Sequence, residues 1–215
     1  MDVRLETRDE GGTSWPVLVW RFGEPRRTCS TGPHGGGLGV RHWALNAQVP
    51  TGYAASDPPA HCIDIAAACA LEGDGVGLLT AADVAAFTGA SDDGVIVVAT
   101  VGLGYPEWAA AAAGSTASAP VRAGTINVFA SVPEPLADAA LVNAVATITE
   151  AKVQALVDAG LSASGTATDA VVVASPVAGD SEVHPYGGPR SRWGAPLARA
   201  AHEAILAGAR RWERR

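Results

Sequence analysis

The chain has 215 residues, 48% hydrophobic and 17% charged, a length that suits a single domain over residues 1–215 with a full core. Its net charge is −7, and Lys and Arg gather only at Arg210, Arg211, Arg214 and Arg215; this argues against nucleic-acid binding, which needs a basic surface to displace counterions. No apolar secretory core opens the sequence and no run is long enough to span a bilayer, so a soluble cytoplasmic protein is expected, with Cys29, Cys62 and Cys69 as reduced thiols.

Val17-Leu18-Val19-Trp20 reads as a strand. Residues 31–40 are dense in glycine and are expected to be irregular, with close turns. Residues 60–71 predict a short Ala-rich helix, entered through Asp57-Pro58-Pro59. Another helix is expected over residues 80–87. The apolar run 94–101 predicts a strand buried on both faces. Residues 109–119 are all Ala, Gly, Ser or Thr and read as a linker. Residues 125–132 predict a strand that Pro133 and Pro135 end. Leu141, Val145, Ile148, Ala151 and Ala155 form one apolar stripe, so residues 137–159 predict a helix with Gly160 at its C-terminal cap. Residues 170–174 predict a third apolar strand, residues 179–194 a long loop, and residues 196–211 a final helix. From residue 94 the order is strand, strand, helix, strand, helix. That order argues for an α/β or α+β fold, a layered sandwich of mixed β-sheet with packed helices.

Several motifs occur together. They are Gly36-Gly37-Leu38 with Leu45-Asn46-Ala47-Gln48-Val49, then Gly77-Leu78-Leu79-Thr80-Ala81-Ala82, then Gly124-Thr125-Ile126-Asn127-Val128. Thr149-Glu150-Ala151-Lys152 follows, and after it Gly165-Thr166-Ala167-Thr168-Asp169-Ala170-Val171-Val172. In this order, over about residues 30–205, they resemble the adenosylcobinamide amidohydrolase (CbiZ) family. The resemblance implies hydrolysis of the amide that joins a corrin side chain to aminopropanol, giving adenosylcobyric acid and aminopropanol in corrinoid salvage. It also makes Gly36, Gly37, Asn46, Thr80, Gly124, Thr166 and Thr168 candidate substrate-binding residues. The chain departs from the family pattern at His34-Gly35, where the family carries an Asn before its paired glycines, and at Arg190, where it carries a His. The cobalt would arrive with the corrinoid, so no cofactor or protein-ligated metal is expected. The partner is a small-molecule corrinoid, with no nucleic acid and no membrane; a homo-oligomer is left open.

Amide hydrolysis needs a nucleophile or an activated water, an oxyanion stabiliser and a proton donor for the leaving amine. Strand alternation puts Thr125, Asn127, Phe129 and Ser131 on one face. Thr125 is then the candidate nucleophile, with Asn127 as an amide donor beside it. A half-buried strand with its polar residues toward solvent is the alternative. The turn 165–169 offers the Thr166 and Thr168 hydroxyls and the Asp169 carboxylate at a strand mouth. Glu150 and Lys152 lie two apart on the long helix and cannot face the same way; Glu150 is taken as a candidate catalytic group. His34, in the glycine loop, is a possible acid or base. That loop reads as backbone lying close to a large ligand. His61, Cys62 and Cys69 fit no standard zinc spacing. Trp43, Tyr53, Tyr105, Trp108, Tyr186 and Trp193 fall in expected loops, where aromatics could line a broad apolar cleft.

The Gly124–Thr125 strand start, with the helix and Gly/Thr-rich strand entry that follow, is also similar to the DmpA aminopeptidase and ornithine acetyltransferase fold. That likeness implies two sheets between helix layers, an αββα sandwich, and a Thr or Ser nucleophile. The rival functions are therefore a DmpA-like amidase or aminopeptidase with a smaller substrate, and a non-catalytic corrinoid-binding module.

Overall fold

The computed structural model describes residues 2–112 and 124–214. β1 (Asp2–Glu10) and β2 (Thr13–Ser30) form an antiparallel hairpin. Its two-residue turn, Gly11-Gly12, has φ of 59° and 78°. This mirror-image turn matches the strand twist, and glycine adopts it without a steric penalty.

β2 is 18 residues long and changes partners midway. Up to Arg21 it lies between β1 and β3 (Gly37–Gln48); from Arg26 it lies between β3 and β8 (Ala170–Pro176). The register breaks between Arg21 and Arg26. Pro25, inside that break, has no N–H to give to a ladder.

β3 passes through α1 (Pro58–Ala68) to the parallel strand β4 (Gly75–Thr80). β5 (Thr88–Asp92), β6 (Val95–Leu103) and β7 (Gly124–Ser131) are successive antiparallel neighbours. β7 passes through α2 (Asp138–Asp158) to β8, which lies parallel to it. α3 (Gly194–Glu213) packs beside α2. The sheet order is β4-β3-β2-β8-β7-β6-β5, with β1 added to β2.

The break in β2 folds this sheet over on itself. Leu18, Trp20, Ala44, Leu78, Val98, Phe129 and Val172 fill the space between the two halves, and Trp20 stacks on Phe129 at 4.3 Å. Alternate residues of the same strands, Ile126, Val128, Val171 and Val173, look outward onto Leu141, Ile148, Leu197 and Ile205 of α2 and α3. Val17, Val19, Trp43 and Leu45 face Ile65 and Ala66 of α1. The layers therefore run helix, sheet, sheet, helix, which is the layered mixed-sheet sandwich expected.

The predicted strands near residues 17–20, 94–101, 125–132 and 170–174 are present, as are the three helices around 60–71, 137–159 and 196–211. Gly160 ends α2 with φ of 88°, as a C-terminal cap requires. By length and composition α2 could cross a membrane, but its apolar face is spent on the sheet and on α3.

Two expectations need correction. Residues 80–87 form no α-helix: β4 ends at Thr80 and only a 3-10 turn, Val84–Ala86, follows. There the Thr80 and Asp83 side chains accept from Ala82 N and Ala85 N and close tight turns instead. The glycine segment is irregular only to residue 36, because Gly37 opens β3. Of the expected linker 109–119, residues 113–119 lie outside the described residues.

Candidate active site

Thr125 is the second residue of β7, and only 6% of it is exposed. Its Oγ lies 2.7 Å from Thr168 Oγ and 2.8 Å from the carbonyl oxygen of Gly124. Thr168 itself is exposed, so Thr125 sits one hydroxyl beneath the surface. Each hydroxyl has one proton. Either Thr125 donates to Gly124 O while Thr168 donates to Thr125, or Thr125 donates to Thr168. Among the described residues no titratable side chain is bonded to the Thr125 hydroxyl.

Thr125 and Asn127 share the face of β7 that looks between the sheet halves, as alternation predicted. That face is not half-exposed, since Asn127 is 2% exposed. It belongs to a polar strip across an otherwise apolar space. Asn127 Nδ2 donates to Asn46 Oδ1 of β3 at 2.8 Å and to the Leu79 carbonyl of β4 at 3.0 Å. Asn46 Nδ2 donates to Thr100 Oγ of β6 at 2.9 Å. Such groups are tolerated in a core because they satisfy one another.

This strip changes the role open to Asn127. Both of its amide protons are spent, so it has none left for an oxyanion. Its Oδ1 is buried and has no hydrogen-bond partner among the described residues. What Asn127 can offer a reacting amide is an acceptor for an N–H, not the donor expected from sequence.

Asp169 stands behind Thr125, on the helix side. Its Oδ1 accepts from the Ile126 backbone N–H at 2.8 Å and from the Thr166 hydroxyl at 2.5 Å. Its Oδ2 accepts from the Thr166 backbone N–H at 3.0 Å and from Lys152 Nζ of α2. The Thr166 and Thr168 hydroxyls also lie 3.1 and 3.4 Å from Gly124 O. A second loop is clipped on beside them. Glu107 N donates to Gly165 O at 2.9 Å, and Ala109 N donates to Ser164 Oγ at 2.7 Å. Trp108, held between them, is 47% exposed.

The structure thus brings together Thr125, Asn127, Asn46, Gly124, Thr166, Thr168 and Asp169. Thr80 ends β4 beside Leu79, whose carbonyl bonds Asn127, and is 2% exposed. Glu150 does not join this group. It is exposed and lines a surface groove with Thr147, Pro189, Arg199, His202 and Glu203. Lys152 is the residue that turns inward from that helix.

Gly36 and Gly37 lie where the glycine loop leads into β3. Gly37 pairs with Ser30, and Ser30 pairs with Val172 of β8. The close backbone approach made by this loop is to its own protein. A Cβ on Gly36 would come within 2.6 Å of Gly32 O, and His34 bridges Gly77 through backbone bonds of 3.5 and 3.1 Å. His34 stacks on Trp43, and burial, with Arg41 nearby, lowers its pKa.

Trp43 and Trp193 are buried at 4%, so they are core residues rather than cleft lining. Tyr53 bonds His61 Nδ1 at 2.8 Å. Cys29, Cys62 and Cys69 are all buried. Thr100 and Lys152 are the members that sequence reasoning missed as site residues. Thr100 had one visible signal, a lone hydroxyl on the inward side of an apolar strand.

The sequence pattern of adenosylcobinamide amidohydrolase matches residues 2–215. The adenosylcobinamide amidohydrolase of Methanosarcina mazei is 31% identical over 186 residues, which cover 83% of this chain and 88% of that protein. A match of this length and identity means that the chain belongs to the adenosylcobinamide amidohydrolase family and is an amidohydrolase.

Proposed function

We propose that the chain hydrolyses the amide linking a corrin side chain to aminopropanol in adenosylcobinamide, releasing adenosylcobyric acid and aminopropanol for corrinoid salvage in the cytoplasm. The observation that carries the reading is the pairing of a near-buried Thr125 hydroxyl with a surface hydroxyl, Thr168, 2.7 Å away. It sits in a chain whose relative is named for this reaction.

In this reading Thr125 Oγ attacks the amide carbonyl carbon. Its proton passes to Thr168 Oγ, while the Thr168 proton goes to the leaving nitrogen. The C–N bond breaks, aminopropanol departs, and the acyl group remains as an ester on Thr125. Water then adds to that ester and returns the Thr125 hydroxyl and the free acid. Asn127 Oδ1 accepts the N–H of the scissile amide and fixes its orientation. In this reading the slender amide arm enters past the exposed Thr168, and the macrocycle stays outside near the exposed Trp108. The cobalt belongs to the substrate, and no metal held by the protein is required.

The test is incubation with adenosylcobinamide, with aminopropanol and the corrinoid acid measured by chromatography. Thr125→Ser is expected to retain activity and Thr125→Ala to lose it. Full activity of the Ala variant would remove Thr125 from the mechanism. Substrate binding without any product would remove the reaction.

A further inference from the structure

Of the fifteen Lys and Arg residues in the chain, only residue 152 is a lysine. It also makes an unusual ion pair. The Lys152 and Asp169 side chains are 11% and 10% exposed, whereas every other ion pair among the described residues has a partner at least 45% exposed or, for Arg21–Glu6, at least 43%. An enclosed pair must overcome desolvation of both charges, so retaining one points to a demand of geometry.

The geometry leads to Thr125 from both sides. Asp169 accepts from the backbone N–H of Ile126, the residue after Thr125. It also accepts both the hydroxyl and the backbone N–H of Thr166. The loop so fixed brings the Thr166 and Thr168 hydroxyls to the carbonyl of Gly124, the residue before Thr125. Lys152 ties that carboxylate to α2.

The fit also explains why the cation is a lysine. Gly165 packs so closely that a Cβ there would collide with both the Asp169 carboxylate and the Lys152 ammonium. A planar guanidinium is broader than an ammonium and would crowd these close contacts.

We propose that Lys152 is a positioning residue for Thr125; this rests on the reading of Thr125 as the nucleophile. It does not act by passing a proton. Among the described residues the side-chain hydrogen bonds of the two halves meet only at Gly124 O, and a carbonyl oxygen accepts but has no proton to hand on. Its effect is therefore on the placement of the Thr125 hydroxyl.

The test uses Lys152→Met, Lys152→Arg and the double variant Lys152→Met with Asp169→Asn. The double variant removes the carboxylate that the single one leaves unpaired, and so guards against a failure to fold. Rates are measured with adenosylcobinamide and normalised to folded protein by circular dichroism. A misplaced nucleophile is expected to lower kcat by about 100-fold while KM stays within about threefold. Lys152→Arg is expected to fold and to show the same split. The double variant also stays slow, because an amide supplies one acceptor oxygen where the carboxylate supplies two.

A purely structural role would reduce the folded fraction and leave kcat per folded molecule unchanged. That result, or failure of all three variants to fold, overturns the proposal. If Thr125→Ala keeps its activity, the nucleophile reading falls and takes this inference with it. If Thr125→Ala is inactive while Lys152→Met turns over normally, only this inference falls.

Discussion

Replacing Asn46 with alanine tests whether the two sheet halves are held by polar groups as well as by apolar packing. Asn46 gives an N–H to Thr100 at 2.9 Å and takes one from Asn127 at 2.8 Å, and all three residues are at most 2% exposed. Removing its carboxamide leaves Thr100 Oγ without that donor. It also leaves Asn127 Nδ2 with a single partner, Leu79 O. Each buried group so stranded costs about 1–3 kcal/mol, for a total of about 2–6 kcal/mol. For a chain of this size the melting temperature should drop by about 4–24 °C. Calorimetry and urea unfolding would measure the change. A double-mutant cycle with Asn127→Ala should return a coupling of about 0.5–3 kcal/mol. A loss of less than about 0.5 kcal/mol, the range of an ordinary surface substitution, would refute the bridge across the sandwich.

Glu150→Gln is expected to leave kcat within about twofold of the wild type, since the carboxylate it removes is exposed and bonded to no member of the Thr125 group; a loss of a hundredfold would mean that α2 presents the other face to the substrate. The three cysteines are buried and their thiols are pushed up, chiefly by burial, with Cys62 at about 12 against an ordinary 9.0. Native protein at pH 8 should therefore react slowly with a thiol reagent, and unfolded protein should react at all three positions. The unfolded chain loses these protons first, so their contribution is complete below pH 9.0 and is lost as the pH rises toward about 12. Rapid labelling of the native protein, or stability that rises over that interval, would contradict the burial.

Much of the architecture could be read from local pattern. The helix stripe of α2 and the double-faced apolar runs of β6 and β8 were legible, because period and composition are properties of contiguous residues. β1, β3, β4 and β5 were not read as strands. The Gly11-Gly12 turn was a visible signal for the first hairpin. The segment after β4 looked helical because Ala81-Ala82 favour a helix locally, while tight turns closed by the Thr80 and Asp83 side chains decided otherwise. The glycines at 35 and 36 read as backbone close to a ligand, and the backbone they lie against is the protein's own.

The sequence alone determined the family through its ordered motifs, and strand alternation placed Thr125 and Asn127 on one face. Only the tertiary structure decided what that face could do. The partners of Asn127 come from β3 and β4, 81 and 48 residues away. The sheet must fold over before those groups meet, so no local spacing reveals that the amide protons of Asn127 are spent and its oxygen is free. In the same way, two charged residues on one helix, Glu150 and Lys152, differed by a rotation that only packing against the sheet could fix. The burial of α2 turned the lysine inward to Asp169 and left the glutamate in solvent.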